Sequence, residues 1–191
     1  RVTYDAMAGE KVRVLQKKLD ELAIMLELGF RETDDLSLGV DLASFQDRNG
    51  NSGEAVQIYE RLLKMRPGLA IAANNLAMIL IRDEPEQAAL DRALEITKGF
   101  AISDNPIFLD TLGWTHYKRG EMEQAVQILE RASRTDKTLP EINYHMGMAY
   151  YGAGRLDEAK RKLAESVNAD TPYDGIDKAK MVLAELENKK P

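Results

Sequence analysis

The stretch that decides the fold is "DTLGWTHYKRGEMEQAVQILERA", residues 110–132. Within it, Gly113 lies directly before Trp114, the only tryptophan of the chain, and Gly120 and Ala125 follow at wider spacing. The same small residues return 34 positions later as Gly147, Gly154 and Ala159, and Tyr117 and Leu129 return as Tyr151 and Leu163. A period of this length indicates a repeated structural unit.

The period extends backward through two earlier units, in which Leu42-Ala43 and Leu76-Ala77 take the place of Leu112-Gly113. In the unit that starts at Ala70, the second helix fits after a shift of four residues, with Ala93 in the place of Ala125. The insertion falls around "IRDEPEQ", where a loop between helices can absorb it. The four predicted units are 36–69, 70–105, 106–139 and 140–173.

These positions follow the order W-x2-L-G-x2-Y, A-x3-F and Pro, and the chain therefore resembles the tetratricopeptide repeat family over about 36–173. Two positions depart from the pattern, since Leu109 and Asn143 stand at the first aromatic and His116 at a first-helix tyrosine. The resemblance implies an all-α protein, a right-handed solenoid of antiparallel helix pairs. We expect His116 to be a packed or partly buried ring.

The small residues have a physical role in such a pair. Gly113 and Gly147 fall where the first helix crosses the second, where a larger side chain would hold the backbones apart, and Ala125 and Ala159 are the matching small positions. Gly120 and Gly154 fall just past the first helix, where a left-handed residue ends it at low cost. Leu112, Leu129 and Ala132 are predicted core residues.

The two ends of the chain differ from the repeats. Residues 1–35 are predicted to hold an N-terminal helix over 10–29, a divergent or truncated repeat, with Val12, Leu15, Leu19, Leu22 and Leu26 on one stripe and a break at Gly29-Phe30. A dimer seam is the alternative. Residues 174–191 are predicted to form a capping helix and tail, because a solenoid needs a terminal helix with a polar outer face. Its inward face is predicted to hold Ile176, Ala179, Leu183 and Leu186.

In the tetratricopeptide repeat family the first helices line a concave groove, and the resemblance implies which residues do so here. The predicted groove residues are Asn74, Asn75, Met78, Asp110, Trp114, Tyr117, Lys118, Tyr144, His145, Met148 and Tyr151. Aromatic anchors with polar groups between them are typical of a peptide-binding groove. We expect Trp114 to point into the groove. The alternative is that Trp114 and Tyr144 pack against a neighbouring helix, and for Tyr117 and Tyr151 both interpretations stay open.

Two polar features of this groove have specific consequences. The Asn74-Asn75 pair is predicted to hold an extended peptide backbone by bidentate hydrogen bonding, although a solvated helix pair is the alternative. Some members of the family clamp a terminal carboxylate with basic residues on the first helix. The matching positions here include Asp110, Trp114 and Tyr144, none of them basic, so no such clamp is expected.

Composition limits the functional classes. The formal net charge is -6, which argues against a nucleic-acid or anionic-membrane target. The chain has no Cys and two His without metal-ligand spacing, and it lacks a Gly-rich phosphate loop and a nucleophile elbow. We therefore expect no enzyme activity, no cofactor and no metal. No apolar run is long enough to span a membrane.

Residues 70–187, with "ANNLAMIL", "NPIFLDTLGWTHYKRGE" and "PYDGIDKAKMVLAELE", resemble the C-terminal repeats of bacterial cell-envelope tetratricopeptide proteins, such as those of the PEP-CTERM and exopolysaccharide export system. The resemblance implies a scaffold in the periplasm or envelope, with the cytoplasm as alternative. The chain begins Arg-Val-Thr, which indicates a fragment or a processed chain. The predicted function is binding of a protein or peptide partner in the groove. The alternatives are self-assembly into a homo-oligomer and glycan binding.

Overall fold

The computed structural model describes residues 2–82, 85–134, 139–169 and 171–188. Within these ranges the regular structure consists of ten α-helices and one 3-10 helix, without a strand. The elements are α1 (Val2–Thr33), α2 (Leu36–Arg48), α3 (Ser52–Met65), α4 (Ala70–Leu80), α5 (Gln87–Thr97), the 3-10 helix Lys98–Ile102, α6 (Pro106–Lys118), α7 (Met122–Ala132), α8 (Pro140–Gly152), α9 (Leu156–Val167) and α10 (Ile176–Asn188). The predicted all-α fold is confirmed.

The helices α2, α4, α6 and α8 begin at the first residues of the four predicted units. The pairs α2–α3, α6–α7 and α8–α9 pack along their lengths, and their short connections make them antiparallel. Each connection contains a glycine in the left-handed region, with φ of 84° at Gly50, 78° at Gly120 and 75° at Gly154. A side chain at these positions would be strained, which confirms the role predicted for Gly120 and Gly154.

The crossings confirm the reason for the small residues on the first helices. A Cβ atom added to Gly113 would lie 2.6 Å from Cγ of Leu129, and one added to Gly147 would lie 2.7 Å from Cγ of Leu163. Ala125, the matching small residue on α7, is fully buried. The helices of each pair therefore approach so closely that a single methyl group on α6 or α8 would force the facing leucine aside.

Local signals explain where the helices begin. Asp35 accepts a hydrogen bond from the backbone N–H of Ser37 at 2.8 Å, and Asn105 accepts one from Ile107 at 2.9 Å. Both are side-chain caps that satisfy N–H groups left without a partner in the first helical turn. Pro106 follows as the first residue of α6, where its fixed φ suits a helix and its missing N–H costs nothing.

The N-terminal helix is longer than predicted, because α1 continues through Gly29-Phe30 to Thr33. Phe30 is buried against α2, where Gly39 leaves room for its ring. Burying a phenylalanine stabilises by about 1.5–3 kcal/mol, which exceeds the roughly 1 kcal/mol that a glycine costs inside a helix. The predicted break was wrong because tertiary packing outweighs local propensity.

The predicted stripe of α1 is only partly observed. The side chains of Val12 and Leu15 lie outside the described residues. Leu19 and Leu26 are half-buried, whereas Leu22 is 44% exposed. The inward face of α1 therefore turns through Leu26 to Phe30, and Leu22 lies off it.

The C-terminal helix α10 packs on α9 and also touches α8. Its buried residues are Ala179, Val182 and Leu186. Leu183, predicted on this face, is half-buried, because the helix is turned so that the adjacent Val182 lies innermost. The four charged residues predicted to lie away from this face, Asp177, Lys178, Lys180 and Glu187, are all exposed. Met181 is exposed as well, at 56%.

The chain forms two compact units, divided between Ile79 and Leu80. In the second unit α6 lies beside α8 and α8 beside α10, while α7 packs between α6 and α8 from the other side. We call the surface of α6, α8 and α10 the first-helix face, and the surface of α5, α7 and α9 the second-helix face. Among the described helices, none is both long and apolar enough to cross a membrane.

Candidate functional site

The candidate site is the first-helix face of the second unit. Eight of the eleven predicted groove residues lie here, on two adjacent helices. They are Asp110, Trp114, Tyr117 and Lys118 on α6, and Tyr144, His145, Met148 and Tyr151 on α8. The structure brings most of them into one connected cluster, with a buried base and a half-buried rim.

The base is a stack of three rings that joins the two helices. Trp114 is parallel to Tyr117, one turn further along α6, with ring centroids 4.4 Å apart and planes within 4°. On its other side it stacks on His145 of α8, at 4.0 Å and 19°. Such offset stacking adds to the stabilisation that the rings gain from burial. The stack fixes the position of α6 relative to α8.

The structure does not show the exposure that we expected for Trp114, because only 8% of the residue is accessible. The indole has both faces covered by rings, so its area serves to join the helices. The position after Gly113 does turn the side chain away from α7, as the spacing predicts. The neighbouring first helix, however, lies close enough to cover it.

A buried hydrogen-bonded pair of side chains lies beside the stack. Nδ1 of His145 is 3.0 and 2.9 Å from the two carboxylate oxygens of Asp110. The two residues are 2% and 7% exposed. Both were predicted as groove contacts, but here they bind each other across α6 and α8. A buried pair of this kind holds its partners in register, since removing either one leaves the other without its hydrogen bond.

Tyr144 closes the cluster toward α10. Its ring is tilted against Trp114 at 5.7 Å and against Tyr173 at 5.7 Å. Gly175 has φ of 96° and lies so close that a Cβ there would overlap the Tyr144 ring. Burial raises the pKa of the Tyr144 phenol to about 12, and neighbouring Tyr117 and Tyr173 add to the effect. Tyr144 was predicted as a contact, and it is 7% exposed.

Met148 is also more buried than a groove residue would be, at 4%. The reason is the position of α8, which packs against α6, α7, α9 and α10. Every residue from Ile142 to Tyr150 is buried, so α8 has no face left for solvent over these turns. A helix surrounded on all sides behaves as a core helix.

The rim consists of the half-buried residues Tyr117, Lys118 and Tyr151. The Lys118 ammonium lies 5.7 Å from the centre of the Trp114 ring, within the range of a cation–π contact. The Tyr151 hydroxyl donates to Glu185 of α10 at 2.9 Å. Burial, and then the neighbouring Tyr151, raises the pKa of the Tyr117 phenol. These three side chains combine apolar area with a polar group at the surface.

Two further residues belong to the site. Tyr173 lies in the loop before α10, and its ring packs at a tilt against Tyr144. Its hydroxyl donates to Ser166 at 3.0 Å. The repeat register could not find it, because it is the last residue of the predicted units. Glu141 is half-buried at the start of α8, and burial raises its pKa, as do Asp110 and Asp174 nearby.

The other three predicted groove residues lie in the first unit, on α4. Asn74, Asn75 and Met78 are half-buried. Asn75 donates to the Tyr59 hydroxyl at 3.0 Å, and Asn74 donates to the side-chain oxygen of Asn75 at 3.2 Å. The Asn75 amide therefore ties α4 to α3, in addition to any contact with a partner.

His116 lies apart from the cluster, on the second-helix face. Its side chain is 15% exposed and its Nδ1 is 2.6 Å from Glu121, which confirms the partly buried ring predicted for it. Within the ranges that the structure describes, no three His, Asp or Glu side chains are grouped to hold a metal ion.

Two segments of the sequence match the pattern of the tetratricopeptide repeat, over residues 41–100 and 111–175. Together they span more than half of the chain. The chain therefore belongs to the tetratricopeptide repeat family.

Solved structures of this family are similar along nearly the whole chain. TTC0263, a thermophilic tetratricopeptide protein of Thermus thermophilus, is 21% identical with a TM-score of 0.66, over 91% of this chain and 93% of that one. MamA from Desulfovibrio magneticus RS-1 is 19% identical with a TM-score of 0.60, over 93% and 92%. YrrB, described as having an unusual peptide-binding site, is 19% identical with a TM-score of 0.60, over 86% and 85%. No curated protein matches the sequence.

Proposed function

We propose that the protein is a non-enzymatic scaffold, and that the first-helix face of its second unit binds a segment of a partner protein. The observation that carries this proposal is the arrangement of Tyr117, Lys118 and Tyr151 as a half-buried rim over the buried stack of Trp114 and His145. The peptide-binding site named for YrrB supports it by analogy of fold.

The rim is suited to binding a protein segment because neighbouring side chains already hold the rim residues in position. Tyr117 is stacked on Trp114 and Tyr151 is bonded to Glu185, so both lose little conformational freedom when a partner binds. Their rings offer apolar area, and the hydroxyl and ammonium groups can fix the register of a peptide. The buried residues Asp110, Trp114, Tyr144, His145 and Met148 then act as support and do not touch the partner.

The α4 residues Asn74, Asn75 and Met78 are proposed as a second contact patch in the first unit. Each is half-buried, and a primary amide can donate to and accept from a peptide backbone. Because the Asn75 side chain also donates to the Tyr59 hydroxyl, a bound peptide would share the Asn75 amide with Tyr59.

The setting of this scaffold is proposed to be a bacterial envelope or export assembly. Its support is the resemblance of residues 70–187 to envelope proteins. Fractionation of the source cells, with an antibody against the chain, tests it, and recovery in the cytoplasm alone would overturn it. The glycan-binding alternative fits less well, because the stacked Trp114 ring has little accessible area for a sugar.

Affinity capture from the source cell tests the binding face. The variant carries Lys118→Glu and Tyr151→Ala, which change two rim residues. Its matched control carries Lys160→Glu on α9, an exposed lysine away from the rim. We expect a partner that wild type and control retain and the rim variant loses, while all three have equal helicity. Equal retention by all three proteins would move the binding surface elsewhere.

Self-assembly is a second candidate function, favoured by α1. Among the side chains of this helix that the structure describes, the exposed large apolar residues are Val14, Leu22, Ile24, Met25 and Leu28, with Met25 70% exposed. Sedimentation tests self-assembly by comparing the wild type with the variants Ile24→Lys and Met25→Glu. Lys17→Glu is the control on the same helix. A wild type that is monomeric at tens of micromolar (roughly the range of a weak contact) would remove this candidate.

A further inference from the structure

The second-helix face of the second unit contains a cavity that the proposed function does not use. It is open to solvent, measures about 400 Å³ and lies between α5 and α7, over α6. Its floor is Leu112 and His116 of α6, and Leu94 and Ile128 form its apolar walls. Two side chains of opposite charge, Glu95 and Lys98, lie on the α5 side.

The repeat itself shows what such a space can hold. His116 of α6 and Tyr150 of α8 are 34 residues apart and occupy the same place in their units. Tyr150 fills the space between its own helix and the preceding second helix, α7. Its hydroxyl donates to Glu130 at 2.9 Å, and the Arg155 guanidinium lies 4.4 Å above its ring. One repeat thus holds a phenol ring where the other has a cavity.

The cavity arises because the lining side chains of the α6–α7 pair are shorter than their counterparts. In the α8–α9 pair, Leu112, His116 and Ile128 are replaced by Met146, Tyr150 and Lys162. In addition, the His116 ring is held by Glu121 at 2.6 Å, in its own unit. It therefore does not reach across to α5 as Tyr150 reaches to α7.

A similar cavity occurs in the first compact unit, at matching positions of the repeat. A cavity of about 520 Å³ there is lined by Leu42, Gln46 and Ile58, which lie 70 residues before Leu112, His116 and Ile128. Gln46 accepts from Asn51 at 2.9 Å, as His116 contacts Glu121, again five residues on. At both Gln46 and His116, a side chain shorter than tyrosine bonds locally and a cavity lies beside it.

We propose that the cavity over His116 binds an aromatic side chain of a partner protein, next to a basic residue of that partner. The ring would take the place that the Tyr150 ring takes in the following repeat. It would rest on Leu112 and against the apolar walls of α5 and α7. This surface is distinct from the first-helix face, so the proposal does not depend on the function proposed above.

The basic residue that we propose on the partner follows from the charges around the cavity. In the filled repeat the ring is covered by a cation, Arg155, and the register position of Arg155 is a carboxylate, Glu121, in the open one. Among the charged residues that line the cavity, two are acidic, Asp91 and Glu95, and one is basic, Lys98. Lys98 binds Glu95 at 2.8 Å, and Arg119 binds both Asp91 and Glu121. These five groups leave one net negative charge, so the preference for a cation is modest.

The test uses three small phenols that differ mainly in charge. Tyramine carries an ammonium group, tyrosol is neutral and 4-hydroxyphenylacetate carries a carboxylate. Each is titrated into the whole chain while amide and methyl NMR signals are followed. We expect shifts at Leu94, Leu112 and Ile128, with tyramine binding about five-fold more tightly than 4-hydroxyphenylacetate, the size of one weak surface charge contact.

Two filling variants and one control decide the outcome. His116→Tyr copies the filled repeat, and Leu94→Phe narrows the cavity from α5, so each should abolish the shifts. His116→Gln copies Gln46 of the first unit and should keep them. The proposal is overturned by an absence of shifts at these residues, by preference for the carboxylate, or by tyramine binding that survives in a folded His116→Tyr variant.

Discussion

The helix pairs α6–α7 and α8–α9 share the glycines at their crossings and turns, and they differ in the contacts that their other side chains make. Both cross at a glycine that faces a leucine, Leu129 or Leu163, and both turn at a glycine in the left-handed region. Yet α8 is buried through nine consecutive residues, whereas α6 has a cavity beside it.

The difference between the pairs shows that two sets of residues in the repeat have separate roles. The small residues set how closely the helices approach, and they are the same in both pairs. The residues between them decide whether a surface is core or site. Tyr150 fills its space and His116 leaves one open. Trp114 and Met148, also in register, are both buried, but by rings of α6 and α8 in one case and by four helices in the other.

The largest effect is expected at the position shared by Trp114 and Met148. Trp114→Ala should lower the free energy of unfolding by about 4 kcal/mol and Met148→Ala by about 3 kcal/mol, because each leaves a cavity in packed structure. Urea unfolding followed by circular dichroism measures both. A loss below about 1 kcal/mol at Trp114 would contradict its place in the stack and restore it as an exposed contact.

The next effect concerns the pair that joins α6 to α8. Asp110→Ala should lower the free energy of unfolding by about 3 kcal/mol, because it leaves His145 buried without its partner. Asp110→Asn should cost less, since the amide oxygen still accepts a hydrogen bond. Asp177→Ala on the exposed face of α10 is the control, with a change within about 0.5 kcal/mol. Equal losses for Asp110→Ala and the control would show that the pair does not hold the helices together.

Exchanging the residues at positions 116 and 150 tests whether the two spaces beside α6 and α8 are equivalent. Tyr150→His should lower the free energy of unfolding by about 2 kcal/mol, because the phenol ring and its hydrogen bond to Glu130 are lost. His116→Tyr should raise the free energy of unfolding by about 1 kcal/mol, because the larger ring fills the cavity. Thermal unfolding of both variants and of the double exchange gives the values. If His116→Tyr destabilises instead, the two spaces are not equivalent.

The smallest effect appears only in alkali. Burial raises the pKa of Tyr150 to about 12, aided by its hydrogen bond to Glu130, and burial also raises that of Tyr144 to about 12, from 10. The folded state keeps these protons more tightly than the unfolded state does. Their contribution to stability is therefore complete below pH 10 and is lost as the pH rises through 12. Tyr150→Phe should show a shallower loss of melting temperature over this window, and an unchanged slope would contradict the burial of the phenol.

The helix pairs could be predicted from the sequence because their signals are local and repeated. Gly113 and Gly120 recur at a fixed distance, and each has one structural reason. The end of α1 could not be predicted, since Gly29 suggests a stop and only the distant contact of Phe30 with α2 overrides it. Tertiary burial decided that boundary.

For the candidate site, the sequence indicates which helices hold the residues, but it does not indicate how far each side chain is buried. The register places Trp114, Tyr144 and His145 on the first helices of their repeats, which are α6 and α8 in the structure. It does not report the distance between α6 and α8, on which their burial depends. The cavity on the opposite face also had a sequence signal, the change from Tyr150 to His116 with Arg155 replaced by Glu121. That signal gains meaning only once the contacts of Tyr150 are known.

The most direct test of the proposed scaffold is site-specific photo-cross-linking in the source cell. The photoreactive residue p-benzoylphenylalanine is placed at position 118 on the rim, or at position 160 on α9 as control. We expect a discrete protein adduct from position 118 that is absent from position 160. Adducts from position 160 alone, or none from 118 in a folded protein, would contradict binding at the first-helix face.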